Sequence, residues 1–287
     1  DAQVEAYRAL SEAVEKGENS FFGQLIDPDE FDVVEACYRL SNPLAALVTA
    51  FDYRSADGVV DVAYALPEEE HIRAIDDWHA QIERIVNYCL IQGDAEITAA
   101  RLYQYLTSSM QAQMPDVGNA DDLYAAFYPG ALYALMQNCV AANDAANAYA
   151  YLLMQAGIEC LPVREAPFEE AAASEEAAAQ LRHQWLIVRI NGAYYHADPE
   201  LDVANAAASN AERDTLGHFG MSDEKCRYEL QIQHPLEIVV PECMCSGDSA
   251  PQNEAGDEAF AVPECPTGLT GYGMQQTVTM ADGEKGD

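Results

Sequence analysis

Residues 183–198, HQWLIVRINGAYYHAD, set a histidine and an aspartate where they can meet. Apolar and polar residues alternate up to Asn191-Gly192, the strongest short signal for a two-residue hairpin turn, and a second strand follows it. That turn pairs Ile190 with Ala193. Counting back places Trp185 opposite Asp198, which makes His183 the diagonal, same-face neighbour of Asp198. A carboxylate beside an imidazole fixes its tautomer and stabilises its protonated form, as a general base serving a nucleophile requires. A surface hairpin with incidental polar residues would have the same local pattern. By parity His196 lies on the face of His183 and Asp198, while Trp185 and Tyr195 are candidates for a cleft wall or for the core.

The elements that must position this pair lie upstream. Asn143 or Asp144 opens an Ala- and Leu-rich helix that closes at Gly157 and leads into a short strand at Leu161 to Val163. Residues 165–182, dominated by Glu and Ala, separate that strand from His183 and suit a short acidic helix or a flap bordering a cleft. Residues 115–130 are punctuated by Pro and Gly and read as a loop with a helical turn.

Helix, strand and His-bearing hairpin, in that order, resemble the bacterial transglutaminase-like superfamily, the branch of papain-type cysteine enzymes in which a Cys opens the helix. The matching pieces are Tyr151-Leu152-Leu153 with Ala156-Gly157-Ile158, then His183-Gln184-Trp185, then Tyr195-His196-Ala197-Asp198. His218-Phe219-Gly220-Met221-Ser222-Asp223 resembles the family segment that follows the Asp strand. The resemblance covers roughly residues 95–235. It implies an α+β fold with helices packed against an antiparallel sheet, His183 as base and Asp198 as its orienting partner, with His196 left to packing or hydrogen bonding.

The family register, counted back along the helix from Tyr151, puts the nucleophile position at Ala142. Alanine has neither a nucleophilic atom nor a titratable group, so covalent catalysis cannot start there. Three explanations are open: a naturally inactive relative, a Cys-to-Ala change introduced into an active enzyme, or a shifted role for Cys139. Cys139 lies three residues earlier, which on a helix means about 60° of rotation and about 4.5 Å along the axis. Tyr133 to Gln137 match the family's approach to its Cys without a gap, which argues against a slipped register; a buried core thiol is the plain alternative for Cys139.

The expected protein is therefore a transglutaminase-like chain, inactive as written, whose cleft accepts peptide or cell-wall amide substrates. The alternatives are an active thiol peptidase or transglutaminase, and a surface scaffold or adhesion module. Three regions are expected: a small α+β module over 1–68, the core over 69–240, and an acidic Gly/Pro-rich tail or wrapping segment over 241–287. The N-terminal module should contain helices over residues 2–16 and 29–40, then strands over 44–53 and 59–65. A helix opening at Pro67 should bury Ile72, Ile75, Trp78, Ile82, Ile85 and Cys89, and Asp94 should cap the next, which buries Ile97, Leu102, Tyr105 and Leu106. Residues 203–217 read as a loop or an irregular helix.

Charge narrows the partners. The chain has 287 residues, 14 basic and 49 acidic, for a formal charge of −35 spread along its length. Such a field repels phosphates, which excludes nucleic acid as an expected partner and disfavours anionic membranes. No apolar run approaches the length of a spanning helix. The chain begins at Asp1, so a targeting segment is expected to have been removed, and the resemblance points to the extracellular space or the bacterial cell envelope. No cofactor is expected. No metal is expected either: His71 and His79 stand two helical turns apart with no third ligand near, and the acidic residues around Asp248 lack EF-hand spacing. Cys37, Cys89 and Cys160 sit in apolar patterns as core thiols, whereas Cys243, Cys245 and Cys265 lie in a loop-like region where a disulfide could form.

Overall fold

The computed structural model describes residues 2–110, 123–127, 130–138, 144–166, 183–208, 216–239 and 262–269. They form a mixed α+β fold of eight helices and two antiparallel sheets. None of these helices is long and apolar enough to cross a membrane.

Helix α1 (Ala2–Glu15) and helix α2 (Pro28–Ser41) come first. α2 starts at Asp27, whose side chain accepts the Asp29 N–H at 3.0 Å, while Glu30 takes the Asp27 N–H at 3.2 Å, a reciprocal capping box. Strands β1 (Ser20–Phe22), β2 (Val48–Arg54) and β3 (Val59–Tyr64) form a sheet in the order β1-β3-β2. The strand expected from Leu44 begins only at Val48. Asn42 accepts the Leu44 N–H and Pro43 presets a helical φ, so residues 43–47 form a 3-10 turn that buries Leu44 and Leu47.

Helices α3 (Glu68–Cys89) and α4 (Ala95–Ser109) follow, α4 with the expected Asp94 cap on the Ile97 N–H. The α3 stripe is shifted by one residue at its start: His71 is buried and stacked on Tyr64 at 3.9 Å, and Ile72 is 40% exposed. The reason is helical phase, since 71, 75, 78, 82, 85 and 89 stay in line at steps of three and four. Ile97 is likewise exposed, while Thr98 and Ala99 fill the core positions beside it.

α5 (Ala131–Gln137) and α6 (Asp144–Gln155) lead to the second sheet. Its strands are β4 (Cys160–Glu165), β5 (Gln184–Ile190), β6 (Ala193–Ala197), β7 (Phe219–Met221) and β8 (Leu236–Ile238), in the order β7-β6-β5-β4-β8 and antiparallel throughout. One face, with Leu186, Val188, Ile190 and Ala197, joins a main core that runs through α6 and α4 to α1 and the first sheet. The other face carries Val163, Trp185 and Ile187 into a second cluster with Met221, Cys226 and Cys265.

Helix α7 (Pro199–Ala208) occupies part of what reads as loop or irregular helix. The missed signal is Asp198-Pro199: the Asp198 carboxylate accepts the Leu201 N–H at 3.1 Å, and Pro199 opens the first turn. α8 (Asp223–Glu229) is capped by Ser222. Residues 262–269 wrap over the second cluster, with the Leu269 N–H on the Gly220 carbonyl and the Asp223 N–H on the Cys265 carbonyl, both at 2.8 Å. Gly220 is required there: its φ is +68°, and an added Cβ would stand 2.9 Å from Leu269. Cys265 is a buried thiol, and Cys243 and Cys245 lie outside the described residues.

Candidate functional site

The hairpin has the register that its turn dictates. Asn191 and Gly192 both take positive φ, 53° and 85°, and Ile190 pairs with Ala193 through to Leu186 with Ala197. Beyond the last of these pairs His183 meets Asp198 diagonally, and the imidazole Nε2 donates to the Asp198 carboxylate at 2.7 Å. Asp198 has no exposed surface, whereas the His183 side chain keeps a quarter of its own. The same carboxylate thus orients a ring and caps α7.

Burial alone would lower the His183 pKa. The hydrogen bonds and charges of Asp198 and Glu200 outweigh it and push His183 up to about 10. Glu200 reaches the other ring nitrogen, with Oε2 3.5 Å from Nδ1. With Nε2 given to Asp198, Nδ1 is the nitrogen left to serve a nucleophile, and a carboxylate now stands beside it. Glu200→Gln is expected to lower the His183 midpoint by about one unit, a nearby opposite charge being worth 1–3 units, as read by NMR titration of the ring.

The start of α6 lies beside the start of β5. Gln184 donates to the Asn147 side chain at 2.6 Å, and the buried Asp144 carboxylate accepts the Gly130 N–H at 3.0 Å, tying the first turn of α6 to the start of α5. Ala142 and Cys139, the nucleophile position and its alternative, lie outside the described residues, as do 167–182, the acidic segment before His183.

Trp185 packs against His183, with ring centroids 5.7 Å apart and planes at 24°. Tyr195 does not share that wall: it packs against the main core on the opposite face, as its odd position on β6 requires. His196 is fully buried; its Nδ1 accepts the Trp185 indole N–H at 3.0 Å and its Nε2 donates to Asp223 at 2.9 Å. His71 and His79 do not converge, since His71 stacks in the core and His79 is exposed beside the Glu15 carbonyl. Among the described residues one group has the atoms to hold a metal: His196, Asp223 and Cys265, with ligand-type atoms within 4.8 Å of one another.

A second buried pair went unread in the sequence. His218 Nδ1 donates to Asp202 at 2.5 Å, the His218 N–H donates to the other Asp202 oxygen at 3.0 Å, and the Tyr103 hydroxyl lies 2.7 Å from that same oxygen. Tyr103 also reaches the Asp198 carbonyl at 2.6 Å, and the Asp198 N–H donates to the His218 carbonyl at 3.0 Å, so this network grips Asp198 by its backbone. Burial would lower the His218 pKa, but the hydrogen bond and charge of Asp202 raise it. The available signal was spacing: Asp202 stands four residues after Asp198, on the same side of a helix that Asp198 caps.

No protein-family model matches the chain, and no curated protein matches it.

Proposed function

We propose that this chain is a transglutaminase-like, papain-type protein that has lost its nucleophile and binds peptide or cell-wall amide substrates without turning them over. The observation that carries this reading is the His183–Asp198 pair at 2.7 Å, at the end of a hairpin whose first strand abuts the opening of α6. A buried aspartate on the far nitrogen of a partly exposed imidazole is the base half of thiol acyl transfer. With a thiol at position 142, the sulfur would stand as a thiolate beside the His183 ring, already protonated below its pKa of about 10, and would attack the amide carbonyl. His183 would give its ring proton to the leaving amine, and the neutral ring would then take one from the water or second amine that resolves the acyl-enzyme. Alanine at 142 stops the cycle at binding. A location outside the cell or in its envelope is part of the same proposal.

The test is Ala142→Cys, assayed for amide hydrolysis and for amine incorporation into glutamine-containing and cell-wall peptides. Activity is expected to appear and to fall by about 10²-fold or more when His183→Ala is added, the usual contribution of a general acid-base. An inert Ala142→Cys protein that also fails to bind these peptides sinks the reading and leaves a scaffold or adhesion role. Activity in the unaltered chain that disappears with Cys139→Ser would assign the nucleophile to Cys139 instead.

A further inference from the structure

The group formed by His196, Asp223 and Cys265 is wired as a hydrogen-bonded chain and not as a metal site. A histidine that ligates a metal turns a lone pair to the ion and donates its other N–H outward. Here the outward nitrogen, Nδ1, accepts from the Trp185 indole, so the neutral ring carries its proton on Nε2, on the side of the ligand group, and gives it to Asp223. The other Asp223 oxygen accepts the Cys265 backbone N–H at 2.7 Å. Each donor in the run has one acceptor. Cys265 N–H and His196 Nε2–H converge on Asp223, and Trp185 N–H fixes the His196 tautomer.

The run ends on His183. Trp185 stacks against that ring, and His183 is otherwise held at its edges by Asp198 and Glu200. Edge contacts fix where a ring nitrogen lies but allow the plane to rock about the hydrogen bond; a flat neighbour held at its own N–H removes that freedom. We propose that Asp223, His196 and residues 262–269 form a positioning relay that, through Trp185, sets the plane of the His183 ring and shields its hydrogen bond to Asp198. The wrapping segment thereby belongs to the site although none of its described side chains need touch a substrate. Any catalytic meaning of the relay rests on the cysteine-enzyme reading, whereas its effect on His183 does not.

The experiment follows the His183 Nε2–H proton by NMR in the full chain, measuring its exchange with water. Asp223→Ala is expected to accelerate that exchange by about 10-fold, the equivalent of one ordinary hydrogen bond. Trp185→Phe, which keeps an aromatic ring but removes the N–H, is expected to do the same. Cys226→Ala removes packing from the same apolar cluster without removing any hydrogen bond of the relay and should leave exchange within about 2-fold, well below the effect of one hydrogen bond. Unchanged exchange in Asp223→Ala and Trp185→Phe overturns the proposal. Equal acceleration in Cys226→Ala also overturns it, because general loosening would then suffice. None of these readings depends on whether Ala142→Cys is active, so the two ideas fail separately.

Discussion

Asp202→Ala is expected to destabilise the fold by about 3–5 kcal/mol, the cost of removing one partner from a buried charged pair. The carboxylate is 3% exposed and serves the Tyr103 hydroxyl and both the ring and backbone N–H groups of His218. Without it, Tyr103 keeps the Asp198 carbonyl as an acceptor, but both His218 donors lose the carboxylate that holds them. An orphaned buried donor loses its full hydration, about 1–3 kcal/mol each, which is why the expected loss exceeds that of one hydrogen bond. Asp202→Asn keeps one acceptor oxygen and should lose about half as much. Urea denaturation decides: the midpoint should fall with the slope unchanged. A loss below about 1 kcal/mol, the value of a single exposed pair, would show that the network is open to water.

Asp198→Ala is expected to lower both stability and the His183 pKa. The aspartate is fully buried, accepts from His183, and caps α7 through the Leu201 N–H. The lost pair accounts for about 3–5 kcal/mol and the lost cap for about 1 kcal/mol, the two overlapping because one carboxylate does both. The His183 midpoint should fall from about 10 by roughly 1–3 units, with Glu200 left as its remaining charged partner. The pH dependence has a definite sign. The folded pKa lies above the ordinary value of 6.5, so the native state holds the extra proton more tightly. The stabilisation from the pair is complete below about 6.5 and is lost as pH rises towards 10. Unaltered protein should therefore lose stability between pH 7 and 10 more steeply than Asp198→Ala. Parallel profiles would show that the pair carries no net stabilisation.

The meeting of His183 and Asp198 was legible because a two-residue Asn-Gly turn fixes register, and register fixes every pairing outward from it. Helices α1 to α4 and α6 were legible from stripes and caps, with phase errors at Ile72 and Ile97 where an apolar residue lies one step beside the buried line. The placement of Tyr195 could have been read from parity, since β6 sends its odd and even positions to opposite faces. Tyr103, Asp202 and His218 had no such rule. Their contacts join residues as far as 99 apart in sequence, and a carboxylate in the first turn of a helix, as Asp202 is beside Glu200, looks like a dipole partner facing water. The relay was hidden for the same reason: Asp223 opens a helix, and Cys265 contributes only its backbone.

The wrapping of residues 262–269 over β7 and α8 also orders events in the life of the chain. Synthesis proceeds from the N-terminus and the growing polypeptide folds as it emerges, yet the cover of the second cluster is made after every strand of the sheet it covers. The sheet and the His183–Asp198 hairpin can assemble on a nascent chain. The Trp185 side of that hairpin cannot be closed until translation has passed residue 269, so its completion follows that of the sheet and the hairpin.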